Sequence, residues 1–235
     1  MTLEYDGSEF HGWQVQPGLR TVQGVVSESL STILREDVKL VGAGRTDAGV
    51  HAHGQVANFQ SRTRMSAHSL REKLNSILPD DVYVRDTCYV PGHFHSRYDA
   101  VSKIYRYTVL EGRSPLRRRH AWEVKYALDI DRMNRSAGHL IGHQDLSSFT
   151  VEPKKNNAVN VLQARWTCER SHFHFEVEAD RFLNKMVRMM VGRMVEIGRG
   201  RFEPESMSEL ARQKRKGAAT PTAPAHGLCL LEVKY

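Results

Sequence analysis

The sequence predicts an α+β protein built from two related, ferredoxin-like halves with mainly antiparallel sheets. Three observations carry that expectation. The order strand, helix, hairpin, helix occurs twice along the 235 residues. Short runs alternate apolar and polar side chains between polar turns, as half-buried strands do. Between them lie apolar stripes at the spacing of helices that bury one face. The boundary falls near Arg97 to Lys103 without a flexible linker, which gives halves of 1–100 and 101–235.

The first half opens on an extended segment, Thr2 to Tyr5. A helix is expected from about Thr21, with Val22, Val25, Val26, Leu30, Ile33 and Leu34 on one stripe. Two strand-like runs, Val38 to Val41 and Gln55 to Gln60, flank a glycine-rich loop. A second helix carries Leu70, Leu74, Ile77 and Leu78, and the spacing of Ser69 and Glu72 reads as a capping box. Val82 to Val90 reads as a further strand.

The second half begins at Lys103 to Leu110, where Tyr105, Tyr107 and Val109 alternate onto one face. Asp129 is placed to cap a helix with Ile130, Met133, Ala137, Leu140 and Ile141 turned inward. Leu162 to Cys168 and Phe173 to Glu178 form the expected hairpin. A methionine-rich helix follows, from about Arg181 to Ile197. It is apolar on most sides, so burial is expected. Arg181, Asn184, Lys185 and Arg188 then fall on one narrow polar strip.

The loop Gly42 to Ala52 reads Gly-Ala-Gly-Arg-Thr-Asp-Ala-Gly-Val-His-Ala and holds a single carboxylate, Asp47. It is not a nucleotide loop. The third glycine of a dinucleotide fingerprint would fall on Asp47, and Val50 stands where a phosphate loop needs lysine. An arginine nearby, Arg45, favours an ionised carboxylate. A desolvated carboxylate of that kind serves as a nucleophile or a base. Arg188, buried on an apolar helix, would need a paired anion.

Composition narrows the classes. Lys plus Arg number 34 against 27 Asp plus Glu, a net charge of +7 that suits a polyanionic partner. The runs Arg117-Arg118-Arg119 and Lys214-Arg215-Lys216 concentrate that charge, although any one such run reads first as a solvated face. Cys88, Cys168 and Cys229 are widely spaced, which argues against a zinc ribbon or a disulfide framework. The pairs His51/His53, His93/His95 and His172/His174 have no third ligand at fixed spacing, nor do His139 and His143, so no metal is expected. With no bilayer-spanning segment and no signal peptide, a soluble cytoplasmic protein is expected.

The loop resembles the signature of the TruA-type tRNA pseudouridine synthases. So do Leu3 to Gly7, Phe10 to Gln16, Arg20 to Gly24, Phe94 to Arg97, Tyr105 to Tyr107, Asp145 to Phe149, Met186 to Arg188 and Gly227 to Leu230, in that order. Near Asn156 to Asn160 the family carries a basic residue, where this chain has Asn157, Ala158 and Val159 after Lys154 and Lys155.

The resemblance implies two sheets merged around a central basic cleft. It also implies isomerisation of uridine to pseudouridine in the tRNA anticodon stem-loop, without a cofactor and by a homodimer. Asp47 would be catalytic, Arg188 would hold its carboxylate, Arg45 would help displace the nucleotide, and Tyr105 would support the uracil face. Attack at the anomeric carbon and proton abstraction from the neighbouring ribose carbon both suit Asp47. The competing classes are a tRNA-binding or folding module without chemistry and an enzyme that cleaves the base.

Overall fold

The computed structural model describes residues 1–215, 218–219 and 221–235. Lys216 of the basic run therefore lies outside the described residues. The fold is mixed α/β with mostly antiparallel strands, compatible with the α+β expectation. It divides into two compact units, Met1–Val101 with Leu230–Tyr235, and Ser102–Cys229.

The first unit contains β1 (Thr2–Tyr5), α1 (Val22–Leu34), β2 (Val41–Gly42), β3 (His51–Asn58), α2 (Ala67–Ile77) and β4 (Val82–Asp86). β1 lies between β4 and β3, antiparallel to both, and β2 pairs antiparallel with β3. α1 starts where expected, and Thr21 caps it, its hydroxyl accepting from Gly24 N. The predicted stripe is only partly inward: Val22, Val26 and Leu30 are buried together with Ser29.

Three sequence expectations in this unit are corrected. α2 starts before Ser69, because the hydroxyl of Ser66 takes the Ser69 amide at 3.1 Å. Glu72, expected in the capping box, instead meets Arg71. β3 begins inside the glycine-rich segment, at His51, because its first residues pair with β1. β4 stops at Asp86, and beyond it Thr87 and Tyr89 donate to the carbonyls of Ala67 and Met65 instead of continuing a ladder.

The second unit runs β5 (Ser102–Glu111), β6 (Trp122–Val124), α3 (Ile130–Gly138), β7 (Gly142–Asp145), β8 (Ala158–Glu169), β9 (His172–Ala179), α4 (Met186–Gly198) and α5 (Ser206–Gln213). Its strands lie in the order β5, β9, β8, β7, all antiparallel, and β6 joins β5 in parallel. The final strand, β10 (Leu228–Lys234), begins here and ends in the first unit. Asp129 caps α3 by accepting from Arg132 N. A bulge between Val161 and Gln163 turns Leu162 outward, against the simple alternation. The core holds Met133, Leu140, Phe149, Trp166 and Phe175, with the Trp166 and Phe175 rings 5.1 Å apart.

α4 begins at Met186, later than its apolar pattern suggests. Lys185 adopts φ of 60°, and the Thr150 hydroxyl donates to the Asn184 carbonyl, so the segment before Met186 is not helical. Arg181, Asn184 and Lys185 therefore share no helical strip with Arg188. Among the described residues no helix is long and apolar enough to cross a membrane.

Candidate active site

Asp47 stands in the loop between β2 and β3 of the first unit, half-buried, with Arg45 exposed beside it. The loop is held almost residue by residue. Ala43 N donates to Val56 O at 2.8 Å, and the buried side chain of Gln55 donates to Gly44 O at 2.9 Å. Trp13 N donates to Thr46 O at 3.1 Å, and Gly49 N donates to Phe10 O at 3.2 Å. Val50 N returns to the carbonyl of Asp47 itself at 3.1 Å, which closes a turn under the carboxylate.

Side chains finish the support. The Tyr5 hydroxyl and Thr46 Oγ1 lie 2.8 Å apart in a buried hydrogen bond. His51 is buried, and its Nδ1 accepts from Gly7 N at 3.1 Å. Gly12 packs against the loop with φ of +88°, and a Cβ there would stand 2.7 Å from Thr46 O. Only glycine takes that conformation without strain, so the approach depends on it. An amide backbone tethered this densely pre-positions the one carboxylate before any substrate arrives, which is what orientation effects require.

Tyr105 and Arg188 belong to the second unit, on β5 and α4, which pack together. Tyr105 is 6% exposed, opposite Val177 of β9, and meets Phe182 edge-on with centroids 4.8 Å apart. Arg188 is the third residue of α4 and half-buried. Its Nε donates to Ala223 O at 2.9 Å, while Ala223 N donates back to the Arg188 carbonyl at 3.0 Å. The same segment takes the Tyr107 hydroxyl on Pro224 O at 2.7 Å. Burial pushes the Tyr107 hydroxyl far above its ordinary range, so it stays a donor, even though the charge of Arg188 pulls the other way. At Gly192, one turn further along α4, a Cβ would fall 1.7 Å from Pro221 O.

The structure thus gathers Asp47 and Arg45 in one loop, and Tyr105 and Arg188 on two packed elements of the other unit. Sequence reasoning did not single out Thr46, Gln55, Phe182 or the Pro221 to Pro224 segment. Tyr5 carried one usable signal, since it alternates with buried Leu3 on a short strand. The histidine pairs have individual uses. His53 faces Glu4 at 3.5 Å, His95 Nδ1 accepts from the amides of Arg97 and Tyr98, and His174 Nδ1 lies 3.2 Å from Thr108 Oγ1. Among the described residues no three potential ligands form a metal-sized cluster.

Comparison with known proteins follows the same residues. A family model for tRNA pseudouridine synthase matches residues 1–99 and 137–235. The chain is 43% identical to tRNA pseudouridine synthase A of Moorella thermoacetica, covering 100% of this chain and 98% of that protein. It is 40% identical to the Geobacter sp. (strain M21) protein of that name, covering 100% and 97%, and 36% identical to the one from Bacteroides fragilis, covering 99% and 94%. Similarity at this level, over the full length of both chains, is decisive: the chain belongs to the tRNA pseudouridine synthase family.

Proposed function

We propose that this chain isomerises uridine to pseudouridine in the anticodon stem-loop of tRNA, with Asp47 as the acting group. The observation that carries the proposal is the multiply tethered loop that presents one carboxylate, in a chain of this family. The relatives it matches are named for tRNA, and a net charge of +7 suits that polyanion.

The reaction breaks the bond between ribose C1′ and uracil N1, turns the base, joins C1′ to C5 and releases the C5 proton, while N1 takes up a proton. Its target must first leave the helical stack, because these atoms are inaccessible within it. Asp47 then acts on the ribose. Arg45, exposed on the same loop, helps displace the nucleotide, and Tyr105 supports the uracil face. Stacking of that kind contributes about 1–3 kcal/mol per base. Arg188 serves as the cation that orients the Asp47 carboxylate. The finer architecture belongs to the same proposal: ferredoxin-like halves of 1–100 and 101–235 around a basic cleft, in a cytoplasmic homodimer.

Tritium release from tRNA labelled at uracil C5 tests the reading. Isomerisation liberates the label and leaves the tRNA chain intact. A binding or folding module would retain the label, and base cleavage would yield free uracil; either result would overturn the assignment.

A further inference from the structure

The segment joining β5 to β6 is a knuckle of successive turns that reads Arg113-Ser-Pro-Leu-Arg-Arg-Arg-His120. Its shape is fixed from within. Ser114 N donates to the side chain of Glu123 at 2.8 Å. The Ser114 carbonyl accepts from Arg117 N and Arg118 N at 3.0 and 3.1 Å, and His120 N donates to Arg117 O at 2.8 Å. Gly112 N anchors the base of the knuckle on Val124 O at 2.8 Å. All four arginines are exposed, and Leu116 at the tip is 90% exposed.

The charge here is arranged unlike that of many other arginines in the molecule. Arg20, Arg71, Arg106, Arg132, Arg199 and Arg201 each meet a carboxylate of the same unit. Arg113, Arg117 and Arg118 make no ion pair with any described residue. Like charges on one tight turn repel one another, a cost recovered when a polyanion neutralises them. The turn bonds hold their backbone together regardless, so little backbone ordering is left to be lost on binding.

We infer that this knuckle is a docking surface for the phosphate backbone of tRNA, apart from the residues that act on uridine. The inference rests on the tRNA reading above. Backbone contact, and not base recognition, follows from the chemistry: the guanidiniums pair with phosphate, and the stretch 113–120 holds no Phe, Tyr or Trp for stacking.

The test is a triple variant, Arg113→Gln, Arg117→Gln and Arg118→Gln, in the full chain. Its tRNA affinity is measured across a range of salt concentrations, together with kcat and KM for tritium release. Three lost phosphate contacts should lower the slope of log affinity against log salt by about 2–3, at ~0.7–0.9 per contact. Affinity near physiological salt should fall by at least about tenfold through KM, with kcat at saturating tRNA unchanged. An unchanged slope and KM would overturn the inference, and so would a fall in kcat alone. Failure of the functional reading looks different: the unmodified protein would then bind tRNA without releasing tritium, while the salt slope would still report on the knuckle.

Discussion

The loop of Asp47 and the helix of Arg188 are held in place by opposite means. The loop is half-exposed and tied by backbone and side-chain hydrogen bonds to β1, β3 and the segment around Trp13. Helix α4 is held by burial: Met186, Val187, Met189, Met190, Val191, Met194 and Val195 are all withdrawn from water. Fully burying one such side chain contributes about 1.5–3 kcal/mol, whereas a net hydrogen bond contributes about 1 kcal/mol. Damage to the helix should therefore appear in stability and turnover together. Damage to the loop should appear mainly in turnover.

The largest stability effect is expected at Gly192. A methyl group there meets a backbone carbonyl, so the Pro221 to Ala223 segment must move away and Arg188 loses its anchor. Gly192→Ala should cost about 3 kcal/mol, the upper end of overpacking, and lower Tm by roughly 6–12 °C at about 2–4 °C per kcal/mol. A melting curve unchanged from that of the parent protein would show that the segment yields freely.

Gly12→Ala should separate the two regions most clearly. It strains a positive φ by about 1–2 kcal/mol and pushes on Thr46 and Asp47. Displacement of the carboxylate by about 1 Å should lower kcat roughly 100-fold, with a smaller shift in Tm than Gly192→Ala gives. Tyr5→Phe is milder. It removes the bond to Thr46 Oγ1, and a loss of about 1.4 kcal/mol in the transition state is tenfold in rate. Single-turnover rates at saturating tRNA measure both, and a Tyr5→Phe enzyme with full kcat would remove that bond from the account.

The smallest effect concerns a polar group of the second unit. Burial first, and then the charge of Arg106, lower the pKa of His174 below its ordinary value of 6.5. The unfolded chain then binds the extra proton, so stability is present above that value and is lost as the pH falls through it. His226, shifted the same way by burial, adds to the slope. Melting between about pH 7.5 and 5.5, the range in which histidine titrates, should fall less steeply for His174→Gln than for the parent. Equal slopes would discard the assignment.

What the sequence made legible was local. The turn that carries Asp47 is marked by the glycines among eleven consecutive residues, and the strand that carries Tyr105 by the alternation of Tyr105, Tyr107 and Val109. The cap at Asp129 follows from a side chain beside its own helix. What could not be read depends on partners distant in the chain. The start of α4 is set by Thr150 acting on Asn184, 34 positions away. Thr46 meets Tyr5 across 41 positions, and Arg188 meets Ala223 across 35. No periodicity encodes such pairs. Ser66 was overlooked for another reason, since two serines three apart both suit a cap and only the amide geometry chooses between them.

The central claim is that a single carboxylate performs the isomerisation. Asp47→Asn preserves shape and removes the charge, so tritium release from C5-labelled tRNA should vanish while tRNA affinity and Tm stay close to those of the parent. Release at a substantial fraction of the parental rate from the purified variant would contradict the account.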